Sequence, residues 1–106
     1  MGDFRTRMMC VGTGKIIQKN ELLDFNGVKN ITLLVSFARR RQEASSGNQI
    51  TEEDVVPIKF WSTGADIIHD AASVGDYIFV EAEIRQRGTK LEIKAKHFDI
   101  LGEKHE

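Results

Sequence analysis

The chain has 106 residues, 41% of them hydrophobic and 29% charged, with a formal net charge of −1. That size is one domain with a core of its own, and the balance excludes both wholesale disorder and a protein that grips duplex nucleic acid by bulk positive charge. The single cysteine, Cys10, excludes a disulfide framework and is expected to be a small buried apolar side chain; no apolar run reaches the ~20 residues of a membrane-spanning helix.

Residues 1–7 (MGDFRTR) are a charged lead-in with no apolar signal core behind them, so a cytoplasmic location is expected. Met8–Gly14 reads as a first strand, with Gly12 and Gly14 marking a bulge or sharp bend where one strand serves two sides of a small barrel. The string GTGK fits neither phosphate-loop nor dinucleotide spacing. Lys15–Phe25 continues the strand irregularly. Asn26-Gly27 is a type I′ hairpin signal, since both central residues need positive φ. In the next strand, Val28–Arg40, Ile31, Leu33, Val35 and Phe37 share one face, and Thr32, Leu34, Ser36 and Ala38 share the other. Residues 42–53 (QEASSGNQITEE) are polar and predict a flexible loop.

Val55–Trp61 follows as a strand demoted or bulged by Pro57. Plain alternation sets Val56, Ile58 and Phe60 on one face and Lys59 and Trp61 on the other. Ser62 or Thr63 can cap a short helix with Asp66 near its N-terminus and Ile67, Ile68, Ala71 and Ala72 as its apolar stripe; Gly75 stops it. In Tyr77–Arg87 the inward set is Ile78, Val80, Ala82 and Ile84, and the outward set is Tyr77, Phe79, Glu81, Glu83, Arg85 and Arg87. A tight turn at Gly88-Thr89 leads to a last strand with Leu91, Ile93 and Ala95 inward and Lys90, Glu92, Lys94 and Lys96 outward. Phe98, Ile100 and Leu101 finish the core, and residues 103–106 form a short charged end. Strands upstream, a helix inserted between two later strands, then a closing hairpin is the element order of an all-β, five-stranded Greek-key barrel of the oligonucleotide/oligosaccharide-binding (OB) type, as a single domain over residues 1–106.

No Cys/His/Asp/Glu set has metal-ligand spacing and no nucleophile has a recognisable base, so neither catalysis nor a cofactor is expected; His69, His97 and His105 read as solvated surface residues. The chemistry lies in cations interleaved with rings. Arg39, Arg40 and Arg41 follow the second strand, and Arg85, Arg87, Lys90, Lys94 and Lys96 crowd the last hairpin. Tyr77, Phe79 and Trp61 accompany them by alternation, with Phe37 and Phe60 as further candidates. Cations that track phosphates and rings that stack bases are what a single-stranded nucleic acid needs. The same pattern also fits a solvated barrel face whose rings are covered by a second subunit.

NITLLVSFARR (Asn30–Arg40), KFWS (Lys59–Ser62), VGDYIFVEAEIRQR (Val74–Arg87) and HFDILG (His97–Gly102) resemble, in this order, segments of the bacterial and phage single-stranded DNA-binding proteins, from about Met9 to Gly102. The resemblance implies a homo-oligomeric OB barrel, dimer or tetramer, that binds single-stranded DNA without sequence preference in replication, recombination or repair. It matches Phe60 to a base-stacking phenylalanine, Arg85 and Arg87 to a basic hairpin, and Arg39–Arg41 to a loop entry. Lys59 lies beside the matched ring. A bulge at Pro57 would turn Phe60 toward DNA, which is the expectation carried forward; Trp61 is left open. Arg39, Asp54 and Gly88-Thr89 stand where the family commonly has aromatics, and the last hairpin is shorter, which implies lower affinity per protomer. The family's long tail with an acidic, aromatic tip is not in the sequence, which implies either a chain without that recruiting role or a trimmed one. A tailless dimeric relative, primosomal replication protein N, is similar in length, so a primosome-type accessory or protein-interaction module is the alternative.

Overall fold

The computed structural model describes residues 6–103. The first five residues of the expected lead-in, and the end of the chain with His105, lie outside the described residues. Strands β1 (Met8–Lys19), β2 (Leu23–Phe25), β3 (Val28–Gln42), β4 (Gln49–Trp61), β5 (Tyr77–Arg87) and β6 (Lys90–Gly102) and one helix, α1 (Thr63–Ala71), follow in that order. The sheet runs β1-β5-β6-β4-β3-β2, and a further β1–β3 pairing closes five of the strands into a ring, with β2 a hairpin appendage of β3. This is the expected five-strand OB barrel.

β1 serves two sides of the ring. Met8–Lys15 pairs with β5, and Lys15–Lys19 pairs with β3 across a bulge between Ile16 and Gln18. The glycines just before the handover keep the strands close: a Cβ on Gly14 would stand 2.6 Å from Val35 Cγ1 and 2.7 Å from Ser36 O, and one on Gly12 would meet the Phe37 ring at 3.0 Å. Cys10, expected inside, is exposed: it sits where, among the described residues, β1 has only β5 beside it.

The alternation in β3 holds, with Ile31, Leu33 and Val35 fully buried. They meet Ile16 of β1, Ile58 and Phe60 of β4, and Ile78 and Val80 of β5 in one core. α1 closes the barrel's end, but not with its expected stripe. Ala65, Ile68 and Ala72 are buried, while Ile67 is 46% exposed, so the buried face follows i, i+3, i+7 from Ala65. Ser62 occupies the N-cap position at φ 55 without a side-chain cap bond, and Asp66 instead pairs with Lys29 at 3.2 Å. At the other end Lys19 Nζ donates to the carbonyls of His69 and Ala72, 2.7 Å each, satisfying acceptors that the last turn leaves free.

Two sequence expectations fail in the β3–β4 hairpin. The ladder pairs every residue from Asn30↔Trp61 to Gln42↔Gln49 without a shift, so Pro57 makes no bulge. Residues 49–53, expected in a flexible loop over 42–53, are strand. Polar composition misled here because the pairing is supported by charge rather than by burial: Arg39 reaches Glu52 at 3.0 Å and Asp54 at 3.2 Å, and Arg41 hydrogen-bonds Glu52. Beyond Ser36 the hairpin leaves β1 and continues as a two-stranded arm of β3 and β4.

Candidate nucleic-acid interface

Side chains directly opposite in an antiparallel pair share a face, and the side-chain period of a strand is two. With no bulge in β3–β4, Asn30, Thr32 and Leu34 therefore share the outer face with Trp61, Lys59 and Pro57. Phe60 falls on the other face. It is 1% exposed and packs edge-on against Phe98 at 5.1 Å, so the expectation that it stacks DNA is overturned. The ring that β4 presents outward is Trp61.

β4 touches β6 at one register position, the parallel pair Lys59↔Lys94. Both lysines lean on the indole, their Nζ atoms 5.6 and 5.9 Å from the ring centroid, which offsets the repulsion of two like charges side by side. The indole Nε1 is shielded and has no hydrogen-bond partner among the described residues.

Around this contact the surface is open. A hollow of about 280 Å³ is lined by Trp61, Arg85, Gln86, Arg87, Glu92 and Lys94. It shares Arg87 and Glu92 with a cleft of about 440 Å³ where β4 and β6 diverge. That cleft has an apolar floor of Pro57, Leu91 and Ile93 and a polar rim of Thr32, Lys59, Arg87 and Lys90. Five cations thus line one groove: Lys59, Arg85, Arg87, Lys90 and Lys94. Arg85 lies 3.6 Å from Glu83 and Arg87 3.4 Å from Glu92, while Lys59, Lys90 and Lys94 have no ion pair among the described residues. The arginine side chains are exposed, 57% and 70%, while the carboxylates are largely covered, 13% and 16%; at these long separations the guanidinium groups keep donors free for an incoming phosphate.

The other predicted site residues are not gathered here. Arg39 and Arg41 lie on the opposite face of the arm from Lys59, tied to Glu52 and Asp54. The Arg41 hydrogen bond, with Arg39 alongside, holds the Glu52 carboxyl below its ordinary pKa. Arg40 does share the outer face, but its partner Thr51 is ten residues of β4 from Trp61, about 33 Å along the strand. Phe37 turns its ring onto Gly12 and Gly14, half-buried against the core. Tyr77 and Phe79 are half-buried at the far end of β5, opposite Lys15 and Thr13 of β1; Phe79 is about 26 Å from Arg87 along the strand. Lys96 falls in the bulge between the pairs Glu81↔His97 and Ala82↔Ala95 and faces another hollow with Ile67 and Phe98.

Leu91, Pro57 and Thr32 were missed. Alternation assigned Leu91 inward, which is its parity, but the hairpin overshoots the barrel there, and the inward face becomes the cleft wall with Leu91 76% exposed. The exposure follows from where the barrel closes, at Lys59↔Lys94, a position that nothing in the sequence marks. Among the described residues no group of side chains has metal-binding geometry, and no helix is long and apolar enough to cross a membrane.

No protein-family profile and no curated protein matches the chain. Solved structures do. A deletion variant of the single-stranded DNA-binding protein of Thermus aquaticus superposes with a TM-score of 0.75 at 17% identity over 88% of this chain, which spans 49% of that protein's length. The Plasmodium falciparum single-stranded DNA-binding protein in complex with single-stranded DNA gives 0.75 at 13% identity, covering 96% of this chain and 98% of its own. PriB from Ralstonia solanacearum gives 0.71 at 11% identity, covering 91% and 98%. The chain has the OB fold of the single-stranded DNA-binding proteins.

Proposed function

We propose that this protein binds single-stranded DNA without sequence preference, as a binding module and not an enzyme, and serves replication, recombination or repair. The observation that carries the reading is Trp61: an outward indole in an open groove lined by Lys59, Arg85, Arg87, Lys90 and Lys94. A flat ring stacks any base, and the cations follow the phosphates, so affinity comes without readout of base edges. The fold shared with a protein solved on single-stranded DNA supports it. Fluorescence anisotropy of labelled oligo-dT at low salt tests it. Binding to oligo-dT that exceeds binding to duplex of equal length, weakened by Trp61→Ala, is expected; equal affinity for the two, or an unaffected Trp61→Ala variant, refutes it.

The same reading includes a homo-oligomer, dimer or tetramer, built on β1. Among the described residues this strand pairs only with β5 from Met8 to Gly14, and the edge left open there carries Met8 and Val11, 64% and 67% exposed. An unpaired apolar edge is a template for strand addition, and an antiparallel copy of itself satisfies a two-fold axis. Sedimentation of the wild type against Val11→Lys tests this; a wild-type monomer refutes it.

A primosome-type accessory or protein-docking module is the second reading. It is favoured by the carboxylates that occupy Arg85 and Arg87 and by a length matching that of PriB. Absence of oligo-dT binding at low salt selects it.

A further inference from the structure

The groove does not end at Trp61. Beyond it the β2–β3 hairpin presents Phe25, 74% exposed, flanked by Leu23 and Val28 at 54% and 45%. A large ring so exposed on a frayed tip would mean little, but this tip is closed. Asn26 and Gly27 take φ 55 and 84, and Gly27 N–H donates to Asp24 Oδ1 at 2.9 Å. The turn holds the ring in water against its hydrophobicity.

Its direction follows from register. Phe25 is opposite Val28, Leu23 opposite Asn30, and Asn30 opposite Trp61, with no shift in either ladder. Phe25 and Trp61 therefore share the outer face. They lie two strands across and two residues along, about 12 Å apart at their Cα atoms. A hollow lined by Lys19, Asn20, Glu21, Leu23 and Thr32 joins the hairpin to the β4–β6 cleft, which Thr32 also lines. Adjoining hollows thus run from Leu23, two residues before Phe25 on the same face of β2, to the Arg87–Lys90 turn.

We infer that Phe25 is a second stacking platform for the strand that Trp61 engages, so that the footprint extends across β3 onto the β2–β3 hairpin. The inference rests on the binding reading above. Glu21 lines this part of the surface and, among the described residues, no free cation does: Lys19 is committed to the helix carbonyls. Phe25 therefore contributes stacking and not phosphate attraction, and its contribution does not depend on salt.

The test uses oligo-dT of increasing length against three proteins: wild type, Phe25→Ala, and Phe25→Trp in a Trp61→Phe background. Expected are quenching of wild-type Trp61 by short oligomers, and quenching of the indole introduced by Phe25→Trp only once the oligomer is long enough to reach both rings. Phe25→Ala should bind the longer oligomers about tenfold more weakly with an unchanged salt slope and unchanged sedimentation. If Trp61 is quenched in the wild type while the Phe25→Trp indole stays silent at every length, this inference falls and the binding reading stands. If neither responds and no binding is measured, both fall. If Phe25→Ala changes sedimentation but not affinity, the tip is a contact between copies, and the inference is overturned.

Discussion

The β3–β4 arm and the β5–β6 hairpin carry similar sets of arginines and glutamates, yet they present them differently. In the arm, Arg39 and Arg41 fall on the face that continues the barrel interior, across from Glu52 and Asp54, and they hold together two strands that have no core beneath them. In the second hairpin, Arg85 and Arg87 fall on the outer face with Lys90 and Lys94, and the strand crossing at Lys59↔Lys94 brings that face against Trp61. Composition is similar; parity relative to the barrel, together with distance from the Lys59↔Lys94 crossing, decides whether a cation serves the fold or an open groove.

The largest expected effect tests parity at the root of the arm, where neighbours Phe60 and Trp61 have opposite duties. Phe60→Ala should cost about 3–5 kcal/mol in denaturant unfolding, because it empties a closed site against Phe98. Loss of oligo-dT binding should then follow only the unfolded fraction. Trp61→Ala should reverse the pattern, weakening oligo-dT binding by about 1–3 kcal/mol with a smaller change in stability. Similar stability losses in both variants would break the comparison.

Paired substitutions of the two hairpins come next. Arg85→Ala/Arg87→Ala should flatten the slope of log affinity against log salt by about 1.4, two phosphate contacts at about 0.7 each on a single strand. Arg39→Ala/Arg41→Ala should leave the slope unchanged and speed amide exchange in the arm. A flattened slope in the second variant would place DNA on the arm.

The smallest effect is a pH response confined to the arm. Glu52 has a lowered pKa when folded, because it accepts from Arg41 with Arg39 nearby. Its stabilisation is therefore present at neutral pH, above the ordinary carboxylate pKa, and is lost as pH falls through the lowered value. Arm amides should lose protection in acid before those of β5 and β6; simultaneous loss would assign the effect to global unfolding.

The barrel was legible because its inward positions alternate: Ile31, Leu33 and Val35, or Ile78, Val80 and Ala82, can be buried together in only one register. The candidate groove, with its ring and cations, was legible in kind but not in position. Plain alternation assigned Phe60 and Trp61 correctly; the resemblance of KFWS to a known motif reversed them by one residue, and Pro57 offered a bulge that β4 does not make. The arm was hidden because ion pairs rather than apolar side chains support it. Phe25 was passed over because only the pairing of Asn30 with both Leu23 and Trp61 connects the hairpin tip to the groove, and that pairing spans 38 residues from Leu23 to Trp61.

In the proposed interface a single indole must meet the bases. Trp61 is the only tryptophan in the chain, so its intrinsic emission can be followed while unlabelled oligo-dT is added at low salt. Saturable quenching, reversed by added salt, is the predicted result. Unchanged emission alongside binding detected by anisotropy would mean that DNA is held elsewhere on the barrel and would contradict the assignment of this groove.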